Sequence, residues 1–325
     1  MNLALLGLGS FVTAVLIASV VTPAVRDFCI RVGWLDHGRS GRAMHDVPTP
    51  RLGGLALAAA FYGPLVLVGI TDQHAADLLL GDGRRVLALV VGGLVALGIG
   101  AVDDVLHLSA RRKLVLQVAL ATVVALLGLR IELIEVPFVG VVQLGLLAVP
   151  ASVLWLVLVM NAINLIDGLD GLAAGVSLTV VGALLAVSIH NGMAVGVLLG
   201  SALAGALAGF LRHNFPPASV FMGDSGSLFL GFALGAWSLV AWQKSATGIA
   251  ALSVVLIFAL PLLDVTLAVT RRLRRGLSPL SADRDHVHHR LVRSGLSHRR
   301  SVLLLYLIAL MTTCSALVML YLSPA

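Results

Sequence analysis

Asn161-Ala162-Ile163-Asn164-Leu165-Ile166-Asp167-Gly168-Leu169-Asp170-Gly171-Leu172 places two carboxylates, two amides and two glycines in twelve residues, directly after an apolar run. An acid at the bilayer centre costs roughly 2.5–3.5 kcal/mol on an insertion scale. Glycine-spaced acids where membrane meets water therefore read as a site for a cation and its charged ligand. If the stretch is helical, the three-residue spacing of Asn164, Asp167 and Asp170 predicts a shared face. Gly168 and Gly171 let a ligand or a neighbouring backbone approach closely.

The rest of the chain sets this cluster in lipid. Of 325 residues, 59% are hydrophobic and 12% are charged, with a mean hydropathy of +1.02. A soluble protein averages about 25% charged. The apolar runs are continuous rather than alternating, which excludes a barrel. The expected class is an all-α polytopic membrane protein, a single domain over 1–325. About ten transmembrane helices are predicted, near 3–22, 53–71, 86–102, 114–130, 139–160, 172–189, 193–211, 227–242, 247–270 and 301–322. No basic residue precedes 3–22, so it reads as a span and not as a secretory signal. Cys29 and Cys314 offer neither a disulfide framework nor a cysteine metal site.

Charge sets the orientation. Of the 22 Lys and Arg, 18 fall in the alternate loops 23–52, 103–113, 161–171, 212–226 and 271–300. The positive-inside rule puts those loops in the cytoplasm and both termini outside. The net charge of +6 is then a matter of topology, and no nucleic-acid partner is expected. Every chemically rich segment falls in the same set of loops, which predicts an active site on the cytoplasmic face.

Asp103-Asp104 closes one span just before Arg111-Arg112-Lys113. Adjacent carboxylates repel, so they suit proton removal or a bound cation. Phe221-Met222-Gly223-Asp224-Ser225-Gly226-Ser227 opens another span, after His213-Asn214-Phe215-Pro216-Pro217. Free N–H groups at that helix start favour phosphate. Oxygen donors without cysteine point to Mg²⁺ or Mn²⁺ rather than Zn²⁺. The last basic loop carries His286-Val287-His288-His289-Arg290. Its histidines suit zinc, or, among arginines, a phosphate surface. His45 and Pro48-Thr49-Pro50-Arg51-Leu52-Gly53-Gly54 read as a rigid turn before a glycine-rich helix start.

These five segments, in this order over about residues 40–295, resemble the polyprenyl-phosphate N-acetylhexosamine-1-phosphate transferase family. The resemblance implies ten transmembrane helices and transfer of a sugar 1-phosphate from a UDP-N-acetylhexosamine to a polyprenyl phosphate. UMP is then released at the inner (cytoplasmic) membrane of the cell. It further implies Asp224 as principal Mg²⁺ ligand with Asn164 close by. Asp103 and Asp104 become the pair that positions or deprotonates the lipid phosphate, their division of labour open. Lys113 matches a phosphate-contacting lysine, and Phe221 an aromatic that stacks on uracil. Asp170 falls at the nucleoside end, and Asp167 and Asn214 support the pocket. His286, His288, His289 and Arg290 form the pyrophosphate-side wall.

Val287 interrupts the run of three histidines found in the peptidoglycan branch. That favours the GlcNAc-1-phosphate branch over phospho-MurNAc-pentapeptide transfer. A homodimer stays open. Two other classes compete. A transporter would carry its acids near mid-bilayer, whereas these gather at one face, with Asp264 the exception. A lipid-diphosphate hydrolase would share the acids and arginines without a uracil platform.

Overall fold

A computed structural model describes residues 3–36, 48–73, 76–77, 81, 83–136, 140–244, 248–278 and 285–322. Helices dominate: α1 (Leu3–Val32), α2 (Gly53–Thr71), α3 (Gly83–Leu106), α4 (Ala110–Leu126), α5 (Ala148–Ile166), α6 (Leu172–His190) and α7 (Ala194–Asn214). They continue as α8 (Gly223–Lys244), α9 (Gly248–Ile257), α10 (Ala259–Arg274), α11 (Val287–Arg293) and α12 (His298–Leu322). Two short antiparallel pairs join them, β1 (Leu35–Asp36) with β2 (Thr49–Pro50) and β3 (Leu133–Val136) with β4 (Gly140–Gln143). Uninterrupted apolar sequence folds this way because a helix satisfies every backbone group internally where water is absent.

Among the described residues, α1, α2, α3, 145–166, α6, α7 and α12 are long and apolar enough to cross a membrane. The chain is a multi-pass membrane protein. The remaining three predicted spans also fall on helices, with differences. Over 114–130 lies α4, 17 residues long and opening on Ala110-Arg111-Arg112-Lys113. Over 227–242 lies α8, 22 residues long. The stretch 247–270 is broken at Phe258 into α9 and α10. Pro261 sits in the first turn of α10 and has no N–H to bond back to Ile257 across the break. The expected span 139–160 starts too early, because 140–143 pair as a strand and α5 begins only at Ala148.

Packing relies on small residues. The face of α1 carrying Gly7, Ser10, Ala14, Ala18 and Thr22 is buried, and α1 lies along α7. A Cβ on Gly205 would stand 2.3 Å from the carbonyl oxygen of Phe11, and one on Gly209 2.6 Å from the Cβ of Ala18. Lipid tails are as apolar as leucine, so close backbone contact of this kind drives helix association. One buried apolar cluster extends from Ala14 to Ala316. Phe210, Phe229, Phe232 and Phe258 are its bulkiest fully buried members. This core holds the end of α3, the start of α4, the end of α5 and the start of α8 against one another.

Candidate active site

Two acids in the last turn of α3 do different things. Asp103 accepts the N–H of Leu108 on Oδ1 at 2.7 Å and takes the Lys113 ammonium on Oδ2 at 2.7 Å. A sharp turn through His107, at φ 51°, brings Lys113 back beside it, one turn into α4. Lys113 also pairs with the carboxylate of Asp224. Asp104 faces the other way and accepts the backbone N–H groups of Asp224 and Ser225, at 2.8 and 2.9 Å. The sequence had these N–H groups at the start of α8 waiting for phosphate. They are instead capped by a carboxylate from α3.

Asn164, in the last turn of α5, donates its amide to Asp224 Oδ1 and to Ser227 Oγ, both at 2.8 Å. Asp224 is thus approached from α4 and from α5 while Asp104 holds its main chain. The turn before α8 admits no bulk. Gly223 has φ +71°, and a Cβ there would meet the carbonyl oxygen of Arg51 at 2.1 Å and the Asp104 carboxylate at 2.6 Å. Three backbone hydrogen bonds lace 50–54 to 221–222: Phe221 N–H to Pro50, Gly53 N–H to Phe221 and Gly54 N–H to Met222. The proline–glycine segment is therefore a wall of the site, beside the half-buried Phe221. His45 lies outside the described residues, as do Asp283 and Arg284.

The acidic loop corrects the helical reading of 164–170. α5 ends at Ile166, Asp167 is its C-cap, and Gly171 at φ +72° is the N-cap before α6. The three polar residues therefore share no helical face. Buried Asp170 accepts the N–H of Ala218 at 2.9 Å, and its own N–H donates to His298 Nε2 at 3.0 Å. Asn214 is a strut: it accepts the Gly171 N–H and donates to the Val220 carbonyl. Tyr306 donates to the carbonyl of Gly171 at 2.6 Å. Burial, and then the carboxylates of Asp224, Asp104 and Asp170, hold Asp167 well above the usual carboxylate range, with Arg51 opposing.

The histidine segment meets this loop from the far side. His286 is bonded through Nδ1 to Asp264 of α10 at 2.8 Å. The rings of His286 and His288 lie parallel, 5.6 Å apart, and His289 is 4.2 Å from His288. His288 is buried, and a Cβ on Gly168 would stand 2.3 Å from its Nε2. Burial, with His289 beside it, lowers His288 to about 3. Arg290 is exposed, and its charge bears on Asp285.

The predicted residues thus assemble in three connected groups. Asp103, Asp104, Lys113, Asn164 and Asp224 form one hydrogen-bonded cluster. Asp167 adjoins it through charge, and Asp170 with Asn214 fixes the neighbouring loops. His286, His288 and His289 abut that loop at Gly168, while Arg290 stands outward. Sequence reasoning gave no role to Ser227, Arg51, His298 or Tyr306. Ser227 and Arg51 stood inside quoted motifs, whereas His298 and Tyr306 carried no local signal.

The family described as Glycosyl transferase family 4 matches residues 86–242, from α3 into α8. A Mycolicibacterium smegmatis protein named decaprenyl-phosphate N-acetylglucosaminephosphotransferase is 39% identical over 328 residues, covering 94% of this chain and 79% of the relative. A Bacillus subtilis protein named "Probable undecaprenyl-phosphate N-acetylglucosaminyl 1-phosphate transferase" is 37% identical over 312 residues, 95% of this chain and 84% of the relative. The chain belongs to the polyprenyl-phosphate N-acetylglucosamine-1-phosphate transferase family.

Within this family member, the donor atoms suit a hard cation. Asp103 and Asp224 already converge on a positive centre, the ammonium of Lys113. The amide nitrogen of Asn164 is spent on Asp224 and Ser227, so its oxygen is the atom able to ligate. Such a set of oxygen donors suits Mg²⁺, which commonly takes one or two carboxylates and completes its shell with waters and substrate phosphates.

Proposed function

We propose that the protein transfers N-acetylglucosamine 1-phosphate from UDP-GlcNAc to an undecaprenyl or decaprenyl phosphate in the inner (cytoplasmic) membrane of the cell, releasing UMP. The observation that carries this is the convergence of Asp103, Lys113 and Asn164 on Asp224 at one end of the helix bundle. Support comes from relatives whose names specify GlcNAc phosphate transfer to these lipids. The strong basic bias of the loops forming this end supports a cytoplasmic position. A membrane site suits the reaction, because a polyprenyl chain stays in lipid while the nucleotide sugar comes from water.

An oxygen of the lipid phosphate attacks the sugar-bearing β-phosphorus in line. The bond from that phosphorus to the bridging oxygen breaks, and UMP leaves. Several negative charges must come together. Lys113 supplies a fixed positive charge, held in place by Asp103. Asp104 anchors the start of α8, so that Asp224 is presented between α4 and α5. Asp167, a carboxyl that burial holds well above the usual carboxylate range, borders the same space. Phe221 offers an aromatic face for the uracil. Mg²⁺, held by Asp224 with Asn164 beside it, would neutralise the donor diphosphate as a Lewis acid.

The test is UMP release from UDP-GlcNAc, Mg²⁺ and polyprenyl phosphate by the purified protein and its Asp224→Ala variant. Acceptor-dependent release by the first and loss in the second is expected. Near-equal rates in a correctly folded variant would defeat the assignment. Adding UDP-GalNAc and UDP-MurNAc-pentapeptide as donors fixes the sugar.

A further inference from the structure

We propose that Asp264 is a positioning residue that sets the acidic loop 167–171 through the histidine segment. It rests on the reading above that this loop borders the transfer site. Asp264 is 2% exposed and lies on α10, in a stretch that carries no other charge before Arg271. Both its oxygens are engaged, Oδ2 with His286 Nδ1 at 2.8 Å and Oδ1 with the Val287 N–H at 2.9 Å. An ionised carboxylate can only accept, so His286 carries its proton on Nδ1 and is fixed in one tautomer. Its ring lies parallel to that of His288, with 4° between planes. His288 in turn presses Nε2 against Gly168, between Asp167 and Asp170. A continuous run of contacts thus leads from a buried helical carboxylate to the acids of the site.

The arrangement has a physical rationale. α11 has seven residues, too few to hold itself in water or at an interface. A buried carboxylate, even when hydrogen-bonded, contributes little to stability compared with apolar packing of similar volume. What Asp264 gives is direction: two bonds to consecutive residues fix where α11 begins and which way the His286 ring faces. Carboxylates that orient metal-ligating histidines act in this way, and their loss costs roughly 10–100-fold.

The experiment uses the full chain in lipid nanodiscs. Histidine-selective ¹⁵N NMR of the wild type, assigned with His286→Asn, should show His286 as a single Nδ1–H tautomer. Averaging tautomers would overturn the proposal without any Asp264 variant. Asp264→Asn should raise KM for UDP-GlcNAc, lowering kcat/KM roughly 10–100-fold. A merely structural defect would lower the active fraction, hence kcat, and leave KM unchanged. The double variant Asp264→Asn/His286→Asn should fall no further than either single change, whereas additive losses mean that the two act independently. If the wild type itself releases no UMP, the proposed function fails, and the tautomer measurement still judges Asp264.

Discussion

The carboxylate of Asp104 accepts the backbone N–H of Asp224 at 2.8 Å. One acid of the site therefore holds the helix start from which another projects, across 120 positions of sequence. Asp104→Ala removes two charge-assisted bonds, each worth about 1.5–3 kcal/mol. A thermal-unfolding midpoint lowered by several degrees, together with loss of UMP release, is the expected result. Asp104→Asn keeps one acceptor and should destabilise less.

Lys113 is the positive centre between Asp103 and Asp224. Lys113→Met leaves two carboxylates facing each other without their shared counter-charge. Turnover should fall roughly 10²–10³-fold, the cost typical of losing one preorganised charge contact. Steady-state UMP release across donor and acceptor concentrations measures it. Lys113→Arg should recover little, since a planar guanidinium does not replace a compact ammonium between two acids.

Gly223 combines a left-handed backbone with a main-chain neighbour 2.1 Å from where a Cβ would sit. Gly223→Ala therefore strains the turn and pushes Arg51 away, and the rigid carbonyl cannot yield as a flexible side-chain tip would. Activity should be lost even where the protein remains monodisperse. Gly140→Ala, at φ +91° with open space around it, is the control that carries backbone strain without a clash.

His288 gives a pH signature. Free histidine binds its proton near 6.5, while burial lowers His288 to about 3. The unfolded chain therefore takes up a proton that the native state refuses, so acidification from 6.5 towards 3 favours unfolding progressively. Above 6.5 both states are neutral and the effect vanishes. Unfolding midpoints measured down to pH 4.5 should decline less steeply in His288→Asn than in the wild type.

Magnesium should stabilise the wild type by mass action, about 2.7 kcal/mol at a hundredfold excess over Kd. Asp224→Ala should lose that stabilisation. Midpoints measured with and without EDTA separate the two, with no reference to turnover.

Much of this site could be read from sequence because its chemistry is concentrated in short motifs. Asn164, Asp167, Asp170 and Asp224 announce themselves as acids and amides beside apolar runs. Their mutual geometry was less readable. The helical spacing of 164–170 suggested one face, but the helix ends at Ile166 with Asp167 as its C-cap, and the next begins only after Gly171. The N–H groups of α8 looked open, because nothing local shows that a carboxylate from α3 reaches them. Span boundaries followed hydropathy closely at 53–71 and 172–189, while α1 runs on past its apolar run to Val32. They failed at 139–160, where apolar Val141 and Val142 belong to a strand, and at 247–270, where Pro261 divides the helix. Tyr306 and His298 act over more than 120 positions, a separation no local pattern reports.

The seam between α1 and α7 bears on how the chain is made. Leu3–Val32 leaves the ribosome long before Ala194–Asn214, so its stripe of Gly7, Ser10, Ala14, Ala18 and Thr22 is made before the helix that covers it. A truncated or stalled product ending before α7 keeps that stripe uncovered. In the finished fold the same stripe is sealed by the close backbone approach at Gly205 and Gly209.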